Sequence, residues 1–319
     1  MATGGGVAGR SGLVYGFAAF GLWGLLPLYW ELLSDTGAEE VLAHRMLWSL
    51  PTALLLLALV RSWSWIRPLL RQPARLGLLL LSASLITVNW YLFIWAVAHD
   101  RVLEASLGYF INPLLTIAMG VLLLGERLRR TQWAAVGIGA SAVVVMSVAY
   151  GEVPWISLIL STTFALYSLT KKKTALDGLQ GFTADSAIQF LPAVVFLAVL
   201  GARGDSTFTS EGTGHALLLV VSGLATALPL IFFGAAAVRL PLSTVGLMQY
   251  IAPTTMFLLG LFAFGEEMPP ERWAGFVLVW VALCVLTWDV LRRARRSRRT
   301  VASSAAAPAD RPRAAALSD

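Results

Sequence analysis

The sequence predicts an all-α polytopic membrane protein, with ten transmembrane helices in two inverted five-helix repeats. Three observations predict it: an excess of apolar residues, their grouping into stretches of bilayer length, and matching residues spaced about 140 positions apart. Of 319 residues, 57% are hydrophobic and 13% charged, against roughly 25% charged in a soluble domain. A soluble fold of this size needs charged side chains to cover its core, whereas lipid accepts Leu, Val, Ala and Phe as surface. The one cysteine, Cys284, excludes an internal disulfide and a thiolate metal site.

A helix crosses the hydrocarbon core with about 20 apolar residues. In the first half such stretches lie near residues 12–33, 41–60, 75–97, 103–124 and 131–150. Five more lie near 154–170, 182–201, 215–237, 243–264 and 272–291, with connections too short for a folded soluble domain. The first stretch is too long for the core of a cleaved signal peptide, so it is expected to persist as a span. After Arg299 the sequence VASSAAAPADRPRAAALSD offers no apolar surface to order it. The domain reading is a cytoplasmic N-terminus (1–11), a first repeat (12–150), a second repeat (151–291) and a basic, disordered cytoplasmic tail (292–319).

Net charge is +6, but eight of the basic residues lie beyond Asp289 and the rest punctuate apolar segments, a pattern of topology rather than nucleic-acid binding. With the N-terminus inside, the inner segments hold Arg10, Arg61, Arg67, Arg71, Arg75, Arg127, Arg129, Arg130, Lys171, Lys172, Lys173 and Arg239. The outer loops hold Arg101, Arg203 and Arg272 and are otherwise acidic. An even number of spans also keeps the Arg-rich tail inside. The expectation is a multi-pass protein of a bacterial inner membrane with both termini cytoplasmic and the lipid bilayer as its surroundings.

The repeat is visible in FINPLLTIAMGVLLLGERLRRTQWA from Phe110 and YIAPTTMFLLGLFAFGEEMPPERWA from Tyr250. Pro113 matches Pro253, Gly125 matches Gly265, Glu126 matches Glu266 and Trp133 matches Trp273. Five spans per half is an odd number, so the second half enters the membrane in the opposite sense. Inverted repeats are a recurring plan of secondary transporters.

A proline inside a helix frees the carbonyl four residues earlier, so Pro113 frees that of Tyr109 and Pro253 that of Gln249. Pro229 takes the place matching Asn89. Irregular helices at matching places point to a transporter's site. The candidate cavity lining is Asn89, Trp90, Phe93, Tyr109, Asn112, Gln249 and Tyr250. Asn89 and Phe93 share one helical face; Tyr109, Asn112 and Thr116 share another. The competing reading is a structural kink whose polar neighbours bond to adjacent helices.

Ionisable residues inside spans are functional candidates by default. His44 and Arg45 lie one turn into the second span, and Arg45 matches Asp185 in the seventh, so these three are candidates for gating or coupling. Glu104, which opens the fourth span, is a fourth. Local pairing, such as Arg45 with Glu31, or a helix-dipole role for Glu104 are the alternatives.

Enzyme chemistry finds little support. His44, His99 and His215 are not spaced as metal ligands on one helix, and no Gly-x-Ser-x-Gly elbow or phosphate-cradling loop occurs. No metal, cofactor or catalytic residue is therefore expected, and no residue pattern fixes an oligomeric state. A membrane-embedded enzyme acting on a lipid or lipid-linked substrate through His99, Asp100 and Glu104, or a receptor or scaffold without flux, remains the alternative.

Five strings carry a family resemblance: AHRMLWS from Ala43, NWYLFIWAV from Asn89, LEASLGYFINPL from Leu103, LGERLRRTQW from Leu124 and LSTVGLMQYIAPT from Leu242. On them the chain resembles the EamA branch of the drug/metabolite transporter superfamily, most closely its RarD permeases, over about residues 12–291. The resemblance implies ten helices in two inverted repeats, a central cavity open to alternate sides, and movement of a small-molecule solute, with a link to chloramphenicol in the permeases' name. It carries no residue-level mechanism.

Overall fold

The structure, a computed structural model, describes residues 4–99, 101–150 and 155–263 and a few isolated helical positions between Val277 and Trp288. All regular structure among them is helical: α1 Gly4–Glu31, α2 Ala38–Val60, α3 Ile66–Leu70, α4 Pro73–Ala98, α5 Val102–Leu124 and α6 Arg130–Tyr150. There follow α7 Trp155–Thr174, α8 Gly178–Arg203, α9 Gly212–Arg239, α10 Leu242–Met248 and α11 Ile251–Phe262. Five stretches, Gly9–Glu31, Ala38–Val60, Pro73–Ala96, Gly178–Arg203 and Gly212–Arg239, are long and apolar enough to cross a bilayer. The chain is thus a multi-pass membrane protein. The expected tenth span falls outside the described residues except at isolated positions.

Local chemistry sets the helix ends. Gly125 (φ 66) and Gly204 (φ 79) close α5 and α8 in the left-handed conformation that glycine adopts without strain. Asp177 and Gln180 form a reciprocal capping box at the start of α8. The ninth span, expected as one helix, is divided into α10 and α11 at Gln249–Tyr250, where Pro253 removes the backbone donor to the Gln249 carbonyl. Around Pro113 and Pro229, in contrast, α5 and α9 continue unbroken. The short α3 was not expected from the sequence; it buries Leu69 against Leu79 and Leu176.

Contacts between helices fix their relative sense. Helix α1 runs against α9: Gly12 meets Leu240, and the Tyr29 hydroxyl donates to the Leu218 carbonyl. Helix α2 runs with α9, since Arg45 reaches Thr226 and Thr36 reaches His215, and against α8, whose end meets Glu40 at Ser206. Helix α4 runs with α8 (Thr87 to Gln189) and against α7 (Trp95 to Trp155, Asn89 to Thr163). Helix α5 runs with α7, where Gly108 meets Leu160, and against α10, where Thr116 meets Gln249. One end of the bundle therefore gathers Arg61, Arg67, Arg71, Arg75, Arg127, Arg129, Arg130, Lys171, Lys172, Lys173 and Arg239, the other mainly acidic residues.

The centre is aromatic. Phe20, Trp23, Phe164, Tyr167 and Phe233 from α1, α7 and α9 pack with ring centroids 5.5–6.1 Å apart. At the basic end Glu126, just past α5, accepts the backbone N–H groups of Leu242 (2.6 Å) and Ser243 (2.8 Å), capping α10 with a full negative charge. Lys172 donates to the carbonyls of Ala237 and Leu240 at the end of α9.

Glycines let helix backbones meet. A Cβ on Gly178 falls 2.0 Å from the Ile231 carbonyl oxygen, and one on Gly223 falls 2.4 Å from the Trp48 backbone. Gly201 faces open space. Gly178→Ala is expected to lower stability by about 1–3 kcal/mol through overpacking against rigid backbone, whereas Gly201→Ala leaves it unchanged or slightly raised. Thermal unfolding of the purified proteins in detergent checks the contrast.

Candidate functional site

Arg45, two turns into α2, is held by residues from α1, α4 and α9. Its guanidinium lies 4.6 Å from the centroid of the Trp30 ring and 4.7 Å from that of Trp90, in cation–π contact with both. Its Nε donates to Thr226 Oγ1 at 3.0 Å. Tyr109 and Tyr29 lie close enough to act on it electrostatically. Arg45 and Tyr109 are enclosed by protein at longer range, yet Arg45 is only half-buried and Tyr109 is 38% exposed.

The other expected lining residues divide into two groups. Asn89 is committed to packing: its Nδ2 donates to the Leu160 carbonyl (2.7 Å) and Thr163 Oγ1 (2.9 Å), joining α4 to α7. Phe93 is wedged edge-on against Tyr109 with centroids 6.0 Å apart. Deeper along α5, Asn112 is buried with its Oδ1 unpartnered, and across from it Gln249 Nε2 donates to Thr116 Oγ1 at 3.1 Å. The Tyr250 hydroxyl is likewise buried without a partner. Trp90 and Tyr109 therefore lie beside Arg45, whereas Asn112 lies on α5, one turn from the Thr116 that meets Gln249, and Tyr250 stands at the break between α10 and α11.

The expected gating residues take separate places. His44 accepts from Trp48 Nε1 (3.3 Å), stacks on Phe208 (4.9 Å) and lies 3.8 Å from Glu40. Glu40 is buried and accepts from Ser206 (2.7 Å) and from the Thr207 backbone (2.8 Å), fastening α2 to the loop after α8. Asp185 is buried two turns into α8 and paired with Lys171 Nζ at 2.5 Å, while Tyr167 donates to it at 3.3 Å. Lys171 also donates to the Gly181 carbonyl at 2.9 Å. The side chain of Glu104 lies outside the described residues, as does Asp100; His99 stacks on Trp95 at 4.1 Å.

Sequence reasoning missed Trp30, Thr226 and Lys171. Trp30 resembles an interfacial tryptophan near a span end, and Thr226 carries no signal in an apolar run. Lys171 hides in the run Lys171–Lys173, although its i, i+4 spacing from Tyr167 marks an inward face.

An all-α bundle of long apolar helices that hold charged and polar side chains between them is in keeping with a membrane transporter. The profile of the EamA-like transporter family matches residues 10–148. A protein named RarD from Streptomyces exfoliatus is 59% identical over 93% of this chain and 94% of its own length. The chloramphenicol-sensitive protein RarD of Pseudomonas aeruginosa is 30% identical over 90% of this chain and 97% of its own. A solved crystal structure with 18% identity shares the fold at a TM-score of 0.65, covering 86% of this chain and 96% of that one. The chain belongs to the RarD permeases of the EamA family, within the drug/metabolite transporter superfamily.

The Lys171–Asp185 pair, with side chains 4% and 6% exposed, yields a direct check. Asp185→Asn strands a buried ammonium and is expected to destabilise the protein by roughly 3–5 kcal/mol, while Lys171→Met combined with Asp185→Leu recovers most of the loss. Tryptophan fluorescence during thermal unfolding measures both.

Proposed function

We propose that this transporter is a secondary carrier of a small metabolite or drug in a bacterial inner membrane. It works by alternating access between two inverted repeats, residues 12–150 and 151–291, flanked by a cytoplasmic N-terminus (1–11) and a basic cytoplasmic tail (292–319).

Packing supports the repeat. Exchanging α1, α2, α4 and α5 for α7, α8, α9 and α10–α11 turns the α1–α9 contact into the α4–α7 contact, and α2–α9 into α4–α8. Every helix so exchanged runs in the opposite sense from its counterpart. Basic residues gathered at one end support placing that end in the cytoplasm.

The observation that carries alternating access is an asymmetry between two matched ion pairs. Asp185 and Lys171 sit 140 positions after Arg45 and Glu31, with the charges interchanged. Near the basic end the pair is made; near the other end Glu31 is exposed and Arg45 lies between two indoles. Two equivalent latches, one shut and one undone, are what a carrier caught in one of its two states requires.

Asn112, Gln249 and Tyr250 supply polar contacts for the solute, with His44 and Arg45 toward one mouth and Asp185 toward the other. The name of the Pseudomonas aeruginosa relative makes amphenicols one solute to test. Counterflow in proteoliposomes is the assay: Asn112→Ala and Gln249→Ala are expected to lower it at least tenfold while the protein stays folded. Cysteines at positions 129 and 209 are expected to react with impermeant maleimide from opposite faces of the membrane. Labelling from one common face defeats the inverted arrangement, and flux of no amphenicol, amino acid or metabolite, beside a working control permease, defeats the carrier.

A further inference from the structure

Among the described residues Arg45 is a cation without a counter-charge. No carboxylate among the described residues lies within 4.0 Å of its guanidinium, and its Nε bond to Thr226 is its one hydrogen bond. Glu40, five residues earlier, is engaged by Ser206 and Thr207, and Glu31 is exposed. Neither Nη group has a hydrogen bond among the described residues, which leaves four N–H donors for recognition. Inside a membrane such a charge is expensive unless something balances it. Asp185, its counterpart in the second repeat, has Lys171.

We propose that Arg45 is the receptor for an oxyanion on the carried solute, and that this solute is a monocarboxylate with an aromatic or apolar body. The inference rests on the carrier reading. Three features select the chemistry. A guanidinium presents parallel N–H donors that match the two oxygens of a carboxylate. The indoles of Trp30 and Trp90 hold its faces, so the edge is left for recognition, and their remaining surface, with Phe93 and Tyr109, suits an apolar body. A single cation balances a single negative charge, which favours a carboxylate over a phosphate dianion. Neutral drugs leave the guanidinium unpaired and bind more weakly.

Full-length protein in detergent tests this with matched pairs: 4-phenylbutyrate against 4-phenylbutyramide, and indole-3-acetate against indole-3-acetamide, with phenyl phosphate as a dianion. Thermal shift and quenching of tryptophan fluorescence report binding. The acids are expected to bind at least tenfold more tightly than their amides and than phenyl phosphate. Arg45→Lys keeps part of this preference and Arg45→Gln loses it. Equal binding of acid and amide by the unaltered protein, no binding of either acid, or acid preference persisting in Arg45→Gln each overturns the proposal. The comparison on unaltered protein stands even if the variants fail to fold. Acid binding without counterflow removes the carrier reading and leaves the receptor; counterflow of an acid unchanged in Arg45→Gln removes the receptor and leaves the carrier.

Discussion

Hydrocarbon does not solvate ions, so each charge inside this bundle needs a partner built by the protein, and the placement of Arg45 and Asp185 follows from that need. Asp185 is given an ammonium, a phenol and a helix packed around them. Arg45 is given two indole faces and one hydroxyl, which hold the guanidinium in place without neutralising it. Aromatic faces contribute about 0.5–2 kcal/mol each, less than a desolvated carboxylate would. The difference leaves one site chemically complete and the other receptive.

The same need explains the close contacts. Asn89 spends its amide on α7, Glu126 spends its carboxylate on α10, and Lys172 spends its ammonium on the end of α9. The first two join one half of the chain to the other, and the third ties two helices of the second half. Elsewhere, glycines at 178 and 223 let helix backbones approach closely, at Ile231 and Trp48.

Much of this was legible in the sequence because hydropathy and special residues are one-dimensional signals. Span positions follow from runs of Leu, Val and Ala, but a proline alone does not say where a span divides, since α5 runs on through Pro113 while the chain breaks before Pro253. The spacing that pairs Arg45 with Asp185 can be counted along the chain. What could not be read is which side chains meet across helices. Nothing in the order of residues says that Trp30 and Trp90, sixty positions apart, close on one guanidinium, or that the Asn89 amide bonds across to α7. Glu126 could be recognised as a repeat marker, but its role as a cap depends on a helix more than a hundred residues later.

Glu126 also bears on biogenesis. Synthesis runs from the N-terminus at about 5–20 residues per second, so α5 and Glu126 leave the ribosome several seconds before Leu242 and Ser243 exist. Meanwhile the amide of Asn89 waits for α7. The early helices can therefore thread into the bilayer in order, yet these polar groups reach final partners only when the second half of the polypeptide arrives. Insertion and folding are separate events in this protein, and a chain stalled midway would present unsatisfied polar groups to quality-control proteases.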